Sequence, residues 1–193
     1  MISIVQTLPE NYRMEAASLY DDAFGPKLAV AIANPDTRRS LIAESLNLRF
    51  AFAAIANDNL VGIAGYRTEE GSLTEGLSFD ALKRSLGLIK GTRAALLLSF
   101  YERGLKPKEL LMDGIAVHCS MRGKGVGTQL LQALCNYAKG HHYHQIRLDV
   151  IDTNPRARQL YERNGFEATH TENFGYLRWF FGFGASTTLI RRL

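Results

Sequence analysis

The residues of this 193-residue chain most able to do chemistry lie between Arg122 and Thr128, in the run RGKGVGT. Gly123, Gly125 and Gly127 put three glycines in five positions, after an apolar run from Leu110 to Val117 and before a segment whose apolar residues Leu130, Leu131, Leu134, Cys135 and Ala138 recur at helical spacing. The pattern reads as strand, glycine loop, helix. Glycine accepts positive φ and has no Cβ, so consecutive N–H groups can converge on one anion. A helix N-terminus adds roughly half a positive charge and about four unpaired donors. Such a loop suits phosphate. Arg122 contributes a bidentate fork and Lys124 a mobile point charge.

Several families hold phosphate on glycine loops, and the spacing separates them. The nucleotide-triphosphate loop needs G-x-x-x-x-G-K-[ST], whereas Gly127 is followed by Thr128 and Gln129. The dinucleotide fingerprint G-x-G-x-x-G is met by Gly123 and Gly125, with Asp149 placed as a ribose-binding acid. Its third glycine comes one residue early, and the stretch between strand and first glycine is too long for that turn.

Arg122 to Gly127 instead resembles R-x-x-G-x-G, the acetyl-CoA pyrophosphate loop of the GCN5-related N-acetyltransferases (GNAT). Ile115 to Val117 resembles the end of that family's fourth strand. Asn154 to Phe166, NPRARQLYERNGF, is similar to the family's N-x-x-A-x-x-L-Y-x-x-x-G-F. The match is good over residues 110–170; the N-terminal part fits only in outline, and the middle does not fit. The resemblance implies an α/β (α+β) fold, a mixed central sheet of about seven strands flanked by helices, with acetyl-CoA as cosubstrate. It implies that the backbone of Ile115, Ala116 and Val117 meets the pantetheine arm and offers an N–H to the thioester oxygen. Arg122, Gly123, Lys124, Gly125, Val126, Gly127 and Thr128 would hold the pyrophosphate, Asn154 would contact the cofactor, and Tyr161 would protonate the departing sulfur.

The residues themselves fit these roles. Asn154 followed by Pro155 is an N-cap with proline at the first helical position, and Tyr161 stands about two turns further on, able to face the same ligand. An unperturbed tyrosine, with a pKa near 10, is protonated at neutral pH as a general acid must be. By period two, Asp113 shares a strand face with Ile115 and Val117, and so reaches the cleft as a base, through water, or as a binder of the cationic amine. The expected reaction is direct acetyl transfer to a primary amine of a small molecule or peptide. A non-catalytic acyl-CoA-binding regulatory module is the alternative.

The other elements must position this centre. Ile2 to Gln6 reads as a strand. Pro9 to Phe24 reads as a helix closed by Gly25-Pro26, and Thr37 to Leu48 as a second helix after Asn34-Pro35. Phe50 to Ala56 and Leu60 to Arg67 form a hairpin around Asn57-Asp58-Asn59. Thr68 to Lys108 reads as an insertion carrying two helices, Phe79 to Leu86 and Ile89 to Tyr101, that cover the amine site or thicken the core. The helix from Thr128 stops at Lys139-Gly140, and Gln145 to Ile151 follows as a strand. Phe166 to His170 and Ser186 to Arg191 are the last strands. Between them, Phe174 to Phe183 is dense in aromatics, which suits core, a homodimer contact or a wall for an apolar substrate.

Composition narrows the classes. With 46% hydrophobic residues the chain reads as a single N-acetyltransferase domain over residues 1–193. It carries no spanning run or leader pattern, so a cytoplasmic location without membrane attachment is expected. The net charge of +4 comes from dispersed Lys and Arg, so nucleic acid is not expected as a partner. Cys119 and Cys135 lack metal or redox spacing, and His118 points away from Cys119 on an extended chain. His141, His142 and His144 have no carboxylate or cysteine at ligand spacing, so no metal is expected.

Overall fold

A computed structural model of the chain describes residues 1–29, 32–76, 104–175, 178 and 182–193. The helices expected over Phe79 to Leu86 and Ile89 to Tyr101 lie outside the described residues, as do Tyr176, Trp179, Phe180 and Phe181 of the aromatic run. The elements run β1 (Ile2–Gln6), α1 (Arg13–Leu28), α2 (Pro35–Ser45), β2 (Ala51–Ala56), β3 (Asn59–Thr68) and β4 (Gly71–Ser72). They continue with β5 (Glu109–Val117), α3 (Val126–Gly140), β6 (Gln145–Ile151), α4 (Pro155–Arg163), β7 (Glu167–Asn173) and β8 (Ala185–Arg192). The described strands form one sheet of seven in the order β1-β2-β3-β5-β6-β8-β7, with the short β4 paired to β3 as an eighth, in line with the mixed sheet of about seven strands expected. Among the described residues all pairings are antiparallel except β5 with β6. Among the described residues no helix is long and apolar enough to cross a membrane.

The sheet is covered on its two faces by different helices. Leu130, Leu131 and Leu134 of α3 are fully buried against it, each contributing about 1.5–3 kcal/mol. Gly62 lets α3 approach, since a Cβ there would stand 2.9 Å from Val126 Cγ1 and 3.0 Å from Leu130 Cδ1. On the opposite face, α1 brings Phe24 against Gly114 of β5, where a Cβ would be 2.5 Å from the ring. The β2–β3 hairpin turns through Asn57 and Asp58, both at positive φ (49° and 58°), as a two-residue turn between twisted strands requires.

Both ends of the first two helices differ from the sequence reading. The first helix begins at Arg13, after a 3₁₀ turn over Glu10–Tyr12, and runs through Gly25-Pro26 to Leu28 instead of closing there. Gly25 is not a stop but a point of close approach: a Cβ would sit 2.5 Å from Asp21 Oδ1, which pairs with Arg38 of α2. The second helix starts at Pro35, with the Asn34 side chain accepting the Thr37 N–H at 2.8 Å, and ends at Ser45.

Candidate active site

The site begins where two parallel strands part. β5 and β6 pair only at Glu109, Leu110 and Leu111 against Gln145, Ile146 and Arg147. A buried cluster pins that end: Gln145 Nε2 donates to Glu109 Oε2 at 2.6 Å, and Arg147 Nη1 lies 3.3 Å from Glu109 Oε1. Beyond it β5 stays with β3 as far as Val117, and β6 stays with β8 as far as Ile151. The facing edges of Met112–Val117 and Leu148–Ile151 therefore share no ladder. The His118 N–H donates to the Val61 carbonyl, so by alternation Ala116 turns its backbone groups to β3 while Ile115 and Val117 turn theirs to this opening, where an extended amide chain could pair with them.

The glycine loop stands beyond the end of β5, at the start of α3. Gly123 and Gly125 have φ of +77° and +80°, and a Cβ at either would touch nothing within 4 Å, so backbone conformation and not crowding requires glycine. Among the described residues the N–H groups of Gly123, Gly125, Val126, Gly127 and Thr128 have no protein acceptor, while Arg122 and Lys124 donate to Cys119 and Met121 within the loop. Five donors are thus turned outward at a helix N-terminus. The Arg122 side chain folds back, its Nε donating to the Val117 carbonyl at 3.1 Å, and Lys124 Nζ rests near Met121 Sδ. The helix starts at Val126 rather than Thr128, placing Gly127 in its first turn. At Gly127 a Cβ would lie 3.0 Å from Leu160 Cδ2 and 3.8 Å from Ile115 Cδ1, so loop, α4 and β5 meet there.

The cap of α4 is as the sequence indicates: the Asn154 side chain accepts the Ala157 N–H at 3.2 Å, which leaves its amide N–H groups available. Gly165, at φ +79°, and the bond from Phe166 N to Tyr161 O end the helix. These terminations hold Tyr161, which is only 5% exposed, with its ring 6.0 Å from Phe166. Its hydroxyl makes no hydrogen bond among the described residues, and burial pushes its pKa well up.

Asp113 is placed differently from the period-two reading. Gly65 pairs with Gly114 but Tyr66 with Met112, so Asp113 is the extra residue of a β-bulge. The bulge breaks the alternation. Tyr66 packs on Tyr137 of α3 and Ile115 leans toward Gly127 of the same helix, whereas the Asp113 carboxylate lies on the α1 side. There Thr74 Oγ1 donates to its Oδ2 at 3.4 Å, Arg67 Nε lies 3.9 Å from Oδ1, and Tyr20 of α1 feels its charge. The side chain is 7% exposed, and burial raises its pKa against the opposing effects of Arg67 and Thr74. Arg67, Thr74, Tyr20 and Phe24 are not among the site residues of the sequence reading; the signal available for them was the glycine after Asp113, since glycine inside a strand marks close approach.

The remaining candidates are accounted for locally. Asp149 accepts from the Thr188 hydroxyl across the β6–β8 pair. His118 Nδ1 pairs with Ser120 Oγ at 2.8 Å and not with Cys119, and Cys135 is buried near Arg191. His141 stacks on Tyr137 at 3.9 Å, and among the described residues no group of three or more potential metal ligands converges.

Comparison with known proteins agrees with this geometry. The sequence pattern of the acetyltransferase (GNAT) family matches residues 16–166. No curated protein matches the chain significantly in sequence. Among solved structures, the chain is similar to the PaiA N-acetyltransferase from Thermoplasma acidophilum in complex with coenzyme A (TM-score 0.62, 12% identity, 100% of this chain and 99% of that one). It is also similar to an N-acetyltransferase from Staphylococcus aureus Mu50 (TM-score 0.61, 17% identity, 100% and 98%). A third likeness is to the ribosomal-protein-S18-alanine N-acetyltransferase from Escherichia coli (TM-score 0.57, 16% identity, 100% and 94%). At these identities the likeness is one of fold. The match over most of the chain, the parting of β5 from β6 and the outward-facing glycine loop lead to one statement: the chain belongs to the GNAT family of acetyltransferases.

Proposed function

We propose that the protein transfers an acetyl group from acetyl-CoA directly to a primary amine, without a covalent enzyme intermediate. The observation that carries this reading is that the N–H groups of Gly123, Gly125, Val126, Gly127 and Thr128 have no acceptor among the described residues, next to the unpaired inner edge of β5. A diphosphate satisfies the first and a pantetheine amide the second. Acetyl-CoA supplies an activated acyl carbon on a thiolate leaving group. An N–H of the Ile115–Val117 edge would stabilise the charge developing on the acyl oxygen, an interaction worth about 10²-fold or more. Tyr161, which burial keeps protonated to still higher pH, would give its proton to the sulfur as the carbon–sulfur bond breaks. Asp113, with a raised pKa, would hold the amine and take its proton, directly or through water, as the carbon–nitrogen bond forms.

Calorimetric titration of acetyl-CoA tests the donor half of the proposal. Binding in the micromolar range or tighter is expected, followed by release of free CoA when an accepted amine is added. Binding without CoA release across a broad amine panel would point instead to a regulatory acyl-CoA sensor. Absence of binding would remove the proposal.

A further inference from the structure

Several described arginines that are partly withdrawn from solvent spend their donors within the protein. Arg13 donates to the Ala43 and Leu46 carbonyls, Arg38 to Asp21 and the Ile32 carbonyl, and Arg147 to the Gly104 carbonyl. Arg67 is different. Its side chain is only 29% exposed, yet among the described residues its guanidinium donates no hydrogen bond. Its nearest anion, Asp113 Oδ1, is 3.9 Å from Nε, beyond hydrogen-bond range. A planar fork of five donors, which matches a carboxylate bidentately, is held unspent beside a buried carboxylate.

The pair stands on the α1 side of the β5 bulge. Tyr20 and Phe24, with ring centroids 4.4 Å apart, close the apolar side, and Thr74 supports the carboxylate from the other. Asp113 is two residues from Ile115, about 7 Å along an extended chain. An amine held at Asp113 is therefore within reach of an acyl group bound at the Ile115–Val117 edge.

We infer that Arg67 and Asp113 select an acceptor bearing an ammonium and a carboxylate a few ångströms apart, that is, a free amino acid or similarly small amino-carboxylate. This rests on the acetyltransferase reading above and narrows its acceptor. Asp113 alone would attract any cationic amine. Arg67 beside it cancels that general attraction, repels the second ammonium of a diamine or polyamine, and offers its fork to an anionic group on the same molecule. Arg67 thereby acts as a specificity-determining residue, since among the described residues its donors hold no other part of the protein.

The test compares amino acids with their methyl esters and with the corresponding decarboxylated amines, reading free CoA from the full-length protein saturated with acetyl-CoA. For at least one amino acid, kcat/KM is expected to exceed that of its ester and of its decarboxylated amine by about 10- to 100-fold, the range for losing a charge-assisted bidentate contact. Arg67→Ala should lower kcat/KM for the amino acid by a similar factor, chiefly through KM, and bring the acid-to-ester ratio toward one. Arg67→Lys should keep part of that ratio, and decides the matter should Arg67→Ala fail to fold. A wild type that favours esters, diamines or protein lysines overturns the inference, as does an acid-to-ester ratio indifferent to both substitutions. In those cases acetyl-CoA binding and CoA release on other amines leave the acetyltransferase reading standing; failure to bind acetyl-CoA sinks both.

Discussion

Phe24 of α1 rests on Gly114 of β5 so closely that any Cβ at position 114 would stand 2.5 Å from the ring's Cζ. The contact joins the helix that covers the Asp113 side of the sheet to the strand that carries the bulge. Gly114→Ala should push α1 outward, destabilise the fold by about 1–3 kcal/mol as overpacking does, and slow acetylation. Chemical denaturation measures the first effect and CoA release the second. A stability change below about 0.5 kcal/mol would show that α1 shifts freely.

Asp113 gives a pH-dependent prediction. Its folded pKa is raised above the ordinary aspartate value of 3.8, chiefly by burial, so its contribution to stability is fully present below about pH 4 and is lost as pH rises through the folded value. Asp113→Asn removes that loss. The variant should be more stable than the wild type at neutral pH, with the gap closing below pH 4, in paired thermal melts. Its turnover should nonetheless fall about 10-fold or more if the carboxylate handles the amine proton.

Tyr161→Phe keeps the buried ring and removes the hydroxyl. Turnover should fall by about 10² to 10⁴ with acetyl-CoA affinity nearly unchanged, as expected when a general acid is lost. Steady-state kinetics beside a calorimetric titration separate the two, and unaltered turnover would take Tyr161 out of the mechanism. Because its pKa is raised, Tyr161 should also make the wild type lose stability relative to the variant above about pH 10.

Gly125→Ala introduces a Cβ that meets no neighbour, so its cost is that of a side chain at φ +80°, about 1–2 kcal/mol. Relief of that strain would turn the neighbouring N–H groups away from a common focus. Acetyl-CoA affinity should drop by about 10-fold or more. Gly140→Ala, at the end of α3 where a Cβ also meets nothing, is the control and should leave affinity unchanged.

The structure bears out the sequence reading most closely from Gln145 to Arg163. The strand Gln145–Ile151 and the helix beginning at Pro155 under an Asn154 cap have the expected starts, because strand periodicity and capping chemistry act over a few neighbouring residues. The glycine loop was legible for the same reason: its requirement for positive φ at Gly123 and Gly125 is local. The stop expected at Gly25-Pro26 was misread because that glycine answers to Asp21, which is paired with a residue of another helix.

By itself, then, the sequence determined the order of most elements, the donor-rich loop and the helix that bears Tyr161, since each depends on backbone preference and on the period of apolar residues. Only the tertiary structure decided which way Asp113 faces, that Arg67 stands opposite it, and where β5 parts from β6. Those features depend on the register between strands brought together by intervening chain, and one unpaired residue at Asp113 redirects its side chain with Gly114 as its local trace.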